Sequence, residues 1–131
     1  FDFETPDVVL TAATDGITLA AAMAAHFGAT VAYAKKSKET AVEEFIESRQ
    51  RLDSGIELTY YLPARAIDAG DSVLVVDDLI RSGETQELLL DITERAGADV
   101  SGVFALIAAG EEGIDRAKTR VDAPVGALTT L

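Results

Sequence analysis

The sequence contains no cysteine and no tryptophan, and only 11 of its 131 residues are lysine or arginine. The absence of cysteine excludes disulfide bonds and thiol chemistry. The chain also lacks an apolar run of about 20 residues, the length that a membrane-spanning helix needs, and we expect no signal peptide. With 48% hydrophobic residues, the chain is predicted to form one globular domain around one core.

Acidic residues outnumber basic ones by 23 to 11, which gives a net charge of −12 at pH 7. The acids are scattered along the chain, as on a solvated surface, and such a surface repels nucleic acid in ordinary salt. Many small residues and few lysines indicate a halophilic protein, because molar salt shortens the Debye length to about 3 Å and screens the repulsion. An acidic mesophilic protein is the alternative.

The most informative stretch of the chain runs from Ser72 to Thr85 and reads SVLVVDDLIRSGET. Val73–Val76 are consecutive apolar β-formers, a pattern typical of a strand that is buried on both faces of a parallel sheet. Asp77 and Asp78 follow this strand. A short turn then leads to Glu84, which opens an amphipathic run with helical spacing.

The turn between this strand and this helix is predicted to bind an anion. Its backbone N–H groups are free at the helix start, and the helix dipole favours negative charge there. The acidic pair lies at the carboxyl edge of the sheet, where carboxylates can accept hydrogen bonds from vicinal sugar hydroxyls. The pattern therefore predicts a ribose 5-phosphate ligand. We define the phosphate loop as Arg81, Ser82, Gly83, Glu84 and Thr85.

The same stretch resembles the motif with which type I phosphoribosyltransferases bind phosphoribosyl pyrophosphate (PRPP). That motif is an apolar strand, two acids, two apolar residues, a variable residue and then small-Gly-x-Thr/Ser, which reads here VLVV-DD-LI-R-SGET. The resemblance implies that Asp77 and Asp78 hold the ribose hydroxyls and that the phosphate loop holds the 5-phosphate. It also implies Mg²⁺ carried by PRPP, with Asp15 or Asp77 as its candidate contacts. An ordinary strand-to-helix turn, as in receiver domains, leaves the Ser-Gly-x-Thr cluster unexplained.

A second strand-to-helix turn comprises Ala13, Thr14, Asp15 and Gly16. Its glycine and the helix start that follows again suit an anion. With the GITLA run after it, this turn resembles the pyrophosphate loop of the family, which implies that the four residues face pyrophosphate. An ordinary turn is the alternative.

Lys35 and Lys36 belong to KKSK, the densest basic cluster of the chain. In orotate-type members of the family a basic pair at this place leads into a mobile catalytic loop. The resemblance implies that both lysines bind pyrophosphate, since cationic side chains suit a polyanion, and exposed lysines on a polar segment are the alternative. Of Tyr60 and Tyr61, we expect one in the core and one exposed.

The alternation of strands and helices predicts an α/β fold with a doubly wound, mainly parallel sheet of about five strands flanked by helices, the type I phosphoribosyltransferase fold. The polar segment 35–55 has helical character in its middle, where apolar residues recur at three- and four-residue spacing. The predicted strands are Asp7–Ala12, Thr30–Ala34, Glu57–Leu62, Val73–Val76, Val100–Ala108 and Pro124–Thr130, and the predicted helices are Ile17–Phe27, Glu84 to the Gly97 cap, and Glu111–Lys118.

Two residues depart from the catalytic members of the family. Arg81 stands where hypoxanthine-type enzymes have an acid, and a guanidinium stays protonated and cannot act as a general base. Asp15 stands where orotate-type members often have lysine. Two like charges about 4 Å apart repel by roughly 4 kcal/mol at an effective dielectric near 20, unless Mg²⁺ lies between them or the side chain turns outward.

Two groups of transcriptional regulators are also similar to this chain, and both join a DNA-binding region to a phosphoribosyltransferase-like domain. The purine repressor of Gram-positive bacteria has a similar first loop, TAATDGI here, and a basic residue at the position of Arg81. The haloarchaeal regulators of sugar catabolism match the acidic composition. Because the chain starts at Phe1, without methionine, we expect a DNA-binding domain upstream.

The hypothesis from the sequence is that residues 1–131 form one regulatory domain that binds PRPP, or a related phosphorylated ligand, with little or no catalysis. The protein is expected to be archaeal, cytoplasmic and homodimeric, with DNA contacted only by the upstream part. The alternative is an active orotate- or purine-type phosphoribosyltransferase, a glycosyltransferase that moves phosphoribose to a nucleobase.

Overall fold

A computed structural model describes residues 2–131 as a five-stranded parallel sheet with helices on its faces and a separate two-stranded hairpin. The sheet order is β2-β1-β5-β6-β7, and the hairpin pairs β3 with β4. The elements are β1 (Val8–Ala12), α1 (Ile17–Phe27), β2 (Thr30–Ala34), β3 (Phe45–Arg51), β4 (Glu57–Pro63), a 3₁₀ turn (Ala64–Ala66), β5 (Ser72–Ile80), α2 (Glu84–Arg95), β6 (Asp99–Ala108), α3 (Glu112–Arg120) and β7 (Val125–Thr130).

The predicted fold class is confirmed. The central strands β1 and β5 are buried on both faces, as their uninterrupted apolar runs predict. On one face, Val9 and Leu74 pack against the small residues Ala20 and Ala24 of α1. The other face is covered by α2 and the hairpin. In the part of the chain that the structure describes, no helix is long and apolar enough to span a membrane.

The prediction of helical character within residues 35–55 was wrong, because Phe45–Arg51 forms strand β3. It pairs antiparallel with β4, from Phe45 opposite Pro63 to Arg51 opposite Glu57. The predicted strand Glu57–Leu62 therefore belongs to the hairpin and not to the main sheet.

Polar residues on the inner face of β3 explain why its period of two was hidden in the sequence. Ser48 is buried against α2 and donates to Asp91 at 2.6 Å. Gln50, two residues on and on the same face, donates to Glu87 at 2.7 Å. Because α2 supplies carboxylates as hydrogen-bond partners, these inward positions need not be apolar. The apolar residues of the segment therefore showed a helical spacing and no alternation of polar and apolar residues.

The sheet core sets the stability of the domain, and a matched pair of leucine substitutions tests this. Leu89 of α2 is 0% exposed, whereas Leu128 of β7 is 74% exposed. Leu89→Ala should lower the free energy of unfolding by about 2–5 kcal/mol through lost burial and a residual cavity. Leu128→Ala should change it by less than about 0.5 kcal/mol. Urea denaturation measures both, and equal losses would contradict the assigned core.

Candidate functional site

The two predicted loops meet over the carboxyl ends of β1 and β5, around an open cavity of about 370 Å³. This is the edge of an α/β sheet at which ligands bind. Ten of the predicted site residues line the cavity: Ala13, Thr14, Asp15, Asp77, Asp78, Arg81, Ser82, Gly83, Glu84 and Thr85.

Both members of the acidic pair are partly buried, and Asp77 is held by two donors. The backbone N–H of Asp78 donates to its Oδ1 at 2.8 Å, and Nε2 of Gln86 donates to its Oδ2 at 3.0 Å. Burial is the largest of the causes that raise the pKa of Asp77 to about 7, and a hydrogen bond with the neighbouring Asp78 carboxyl and its charge also contribute. Near neutral pH this carboxyl can therefore gain or lose a proton in response to a bound cation.

The first loop lies directly on Asp77. A Cβ at Gly16 would collide with Oγ1 of Thr11 and lie 3.3 Å from Oδ1 of Asp77, so only glycine allows this approach. The peptide bond between Ala13 and Thr14 is cis. Thr11 is fully buried, and within residues 2–131 its hydroxyl has no hydrogen-bond partner. The loop that resembles the pyrophosphate loop is thus packed against Asp77.

The phosphate loop is supported from below by the start of α3. Gly83, at φ 86°, has its backbone so close to Gly113 that an added Cβ would lie 3.0 Å from the Gly113 carbonyl oxygen. Arg116 donates to the carbonyl oxygen of Ser82 at 3.1 Å and pairs with Glu87 at 3.0 Å. These contacts fix the loop backbone at the N-terminus of α2.

Among the charged residues that line the cavity, carboxylates outnumber cations. Asp15, Asp77, Asp78 and Glu84 face a single cationic side chain, the exposed guanidinium of Arg81. A polyanionic ligand would therefore meet net negative charge unless a divalent cation came with it. Across residues 2–131, no cluster of three or more acidic or histidine side chains is arranged to hold a metal by itself.

Lys35, Lys36 and Gly16 are the predicted site residues that do not line the cavity. Lys35 pairs with Glu39 at 3.4 Å, and its Nζ lies 5.6 Å from the ring centroid of Tyr33. Lys36 is exposed. A role of the two lysines toward pyrophosphate stays a prediction.

The hairpin and α2 add lining residues that the sequence did not assign to the site. Leu52, Leu58 and Tyr60 form an apolar wall on the hairpin side of the cavity. Tyr60 is buried and Tyr61 is half-buried, which puts the first in the core and leaves the second less exposed than expected. Gln86 is 3% exposed. The sequence does contain a sign of this position, because Gln86 stands three residues before Leu89 and therefore falls on the buried face of α2.

Comparisons with known proteins identify the family. The model of the phosphoribosyl transferase domain family matches residues 2–125. The chain belongs to this family. It is 35% identical over 102 residues to the xanthine phosphoribosyltransferase of Clostridium tetani, covering 76% of this chain and 54% of that protein. It is 30% identical over 110 residues to the purine biosynthesis transcriptional repressor PurR of Bacillus subtilis, covering 83% of this chain and 38% of the repressor.

Solved structures show the same fold. The adenine phosphoribosyltransferase of Rhodothermus marinus superposes with a TM-score of 0.83 at 26% identity, covering 96% of this chain and 70% of the enzyme. That of Trypanosoma brucei, in complex with AMP, pyrophosphate and ribose-5-phosphate, gives 0.83 at 18% identity, covering 95% and 56%. The chain spans about half the length of the curated phosphoribosyltransferases it matches, 54% for the clostridial enzyme.

The protonation of Asp77 should appear as a pH dependence of stability. Its pKa is about 7 in the folded chain, against an ordinary value of 3.8 for aspartate, so between these two pH values the folded state binds more protons than the unfolded state. The free energy of unfolding should therefore fall as pH rises through this window, and Asp77→Asn should remove that part of the slope. Denaturation of both proteins at about pH 5 and about pH 8 measures the difference. Parallel pH profiles would contradict the assignment.

The contribution of the close approach between Gly83 and α3 to stability can be measured separately from the contribution of the positive φ of Gly83. Gly83 and Gly110 both have positive φ, 86° and 78°, but a Cβ at Gly110 would meet nothing within 4 Å. Gly110→Ala should cost about 1 kcal/mol of unfolding free energy, the cost of a left-handed alanine, and Gly83→Ala at least about 2 kcal/mol because Gly113 must also move. Equal losses in thermal or urea denaturation would mean that α3 does not brace the loop.

Proposed function

We propose that this phosphoribosyltransferase domain binds PRPP together with Mg²⁺ in the cavity between its two loops. Asp77 and Asp78 would accept hydrogen bonds from the ribose hydroxyls, and the N–H groups and hydroxyls of Ser82–Thr85 would hold the 5-phosphate. The loop Ala13–Gly16 would face the pyrophosphate. The observation that carries the proposal is the pairing of an acidic pair with a helix N-terminus across one cavity, since a sugar phosphate needs both.

The residues present fit a magnesium ion that is carried by its ligand. Mg²⁺ takes oxygen ligands, keeps several waters, and is commonly held by one or two carboxylates plus substrate phosphates. Asp77 and Asp15 line the same cavity and are the carboxylates that would contact it or its waters. Bound Mg²⁺ would neutralise the pyrophosphate and favour the ionised form of Asp77.

The role we propose is that of an effector-binding domain of a transcriptional regulator, with little or no turnover. Arg81 cannot accept a proton from a base, and Asp15 and Glu84 bring negative charge to both anion loops. The similarity to the Bacillus subtilis repressor supports a regulatory setting. DNA binding would lie outside this acidic domain, in another part of the protein, and we expect the regulator to be a homodimer.

An active phosphoribosyltransferase is the second candidate, because several matched bacterial proteins are xanthine phosphoribosyltransferases. Substitution at an activated sugar carbon depends mainly on positioning, charge stabilisation and Mg²⁺. The substitution at Arg81 therefore weakens this candidate without removing it.

The binding proposal predicts PRPP affinity that needs both Mg²⁺ and the acidic pair. Titration calorimetry should show PRPP binding with Mg²⁺ and at least about tenfold weaker binding after Asp78→Asn, through lost hydrogen bonds to the ribose. Asp122→Asn makes the same chemical change at an exposed site away from the cavity and should leave the affinity unchanged. Equal affinities for both variants would place PRPP elsewhere.

The regulatory proposal predicts no pyrophosphate release from PRPP and Mg²⁺ in molar KCl, with orotate, adenine, hypoxanthine, guanine, xanthine or uracil as the acceptor. A coupled pyrophosphate assay measures this on folded protein. Turnover of about 1 per second or more with any base would establish the second candidate instead.

A further inference from the structure

The hairpin is joined to α2 along a row of carboxylates, and the row ends inside the phosphate loop. Each carboxylate accepts one hydrogen bond from the hairpin, and the three acceptors lie on one face of α2. The bonds are Ser48 Oγ to Asp91 at 2.6 Å, Gln50 Nε2 to Glu87 at 2.7 Å, and Asp53 N–H to Glu84 at 3.1 Å.

Glu84 is the acceptor that belongs both to the row of carboxylates and to the phosphate loop. Its Oε2 takes the hydrogen bond from the hairpin tip at Asp53, while its Oε1 accepts from Oγ of Ser82 at 2.9 Å. The Ser82 hydroxyl in turn accepts from the backbone N–H of Glu84 at 3.3 Å. The Ser82 hydroxyl and the Glu84 N–H are thus engaged within the chain, the first by the Glu84 carboxylate and the second by Ser82. The loop would otherwise offer both groups to a phosphate.

We propose that Glu84 is a latch which holds the hairpin tip at the phosphate loop, and that a phosphomonoester bound in the loop displaces its carboxylate and releases the tip. The proposal rests on the proposed function, because it takes the phosphate loop as the site of a ligand phosphate. We call the two hydrogen bonds from Ser82 and Asp53 to this carboxylate the Glu84 latch.

A closed Glu84 latch and a phosphate bound in the loop exclude each other, because of charge and geometry. A phosphate that receives the Ser82 hydroxyl places its negative oxygens next to the Glu84 carboxylate, and like charges at this distance repel. Oε1 and Oε2 belong to one carboxylate, so we expect a rotation away from Ser82 to break the bond to Asp53 as well. The other two bonds of the row do not involve the phosphate loop, so the base of the hairpin stays attached while its tip opens.

Release of the tip changes the cavity as well as the hairpin. Leu52 precedes Asp53 and lines the same cavity as Asp77. Its movement with the tip would widen the space beside the ribose. Phosphate binding would thereby be converted into a movement of residues 52–56, the turn between β3 and β4.

The tip allows a substitution that removes the donor and keeps the turn. Gly55 N–H donates to the carbonyl oxygen of Leu52 at 2.8 Å, which makes Asp53 the second residue of a four-residue turn. Proline is favoured at that position and has no N–H. Asp53→Pro therefore cuts the hairpin side of the latch, Glu84→Ala removes the carboxylate, and Glu84→Gln removes its charge.

The test uses ribose 5-phosphate as the probe and measures two quantities on the full chain, its affinity by calorimetry and the amide exchange of residues 52–56. In the wild type, slow exchange at Asp53 should become fast when the probe binds. Glu84→Ala should exchange fast without the probe, and both Glu84 variants should bind it about tenfold more tightly because one like charge is gone. Asp53→Pro should tighten binding less than the Glu84 variants do, because the carboxylate remains.

Ser48→Ala is the control, since it removes the bond of the row farthest from the loop and should leave the affinity unchanged. Binding of the probe that leaves Asp53 protected would overturn the latch and leave the proposed function standing. Failure of the probe to bind any variant, including Glu84→Ala with its emptied loop, would overturn the proposed function and the latch with it.

Discussion

The pairing of β1 with β5 is the constraint on which the site depends. These strands are far apart in sequence, yet they lie parallel and in register from Val8 opposite Val73 to Leu10 opposite Val75. β2 and β6 continue the sheet on the two outer sides, so the chain leaves β1 and β5 toward opposite faces. This arrangement opens a crevice at their carboxyl ends and places one helix N-terminus on each side of it.

Charge then determines what the crevice can hold. Two helix starts and a set of N–H groups attract anions, whereas the carboxylates around them repel anions. The two tendencies are compatible when the ligand combines hydroxyls, phosphates and a bound divalent cation. Asp77 lies at the centre of this balance, because its burial and its neighbour Asp78 hold its pKa near the pH at which cells work.

Much of the fold and part of the site could be predicted from the sequence, for identifiable reasons. The buried strands have uninterrupted apolar runs, and the acidic pair with Ser82–Thr85 is local in sequence, so both are visible without tertiary information. Gly113 and Arg116 were missed because their roles come from the packing of α3 against the loop, thirty or more residues away in sequence. Strand β3 was missed because its partners are carboxylates on α2, which no pattern within the segment can show.

The polar contact between the hairpin and α2 has a consequence for how this domain can vary. Burial tends to raise the pKa of Asp91, but hydrogen bonds from Ser48 and Arg95 more than offset it, and the pKa is lowered overall. Contacts of this kind exchange for water at small net free energy, unlike the apolar contacts that join α2 to the sheet. The polar side chains of β3 can therefore change without unsettling the sheet, whereas Tyr60 and Leu62 of β4 are buried in the core and cannot. Variation in ligand preference is thus open on one strand of the hairpin and closed on the other.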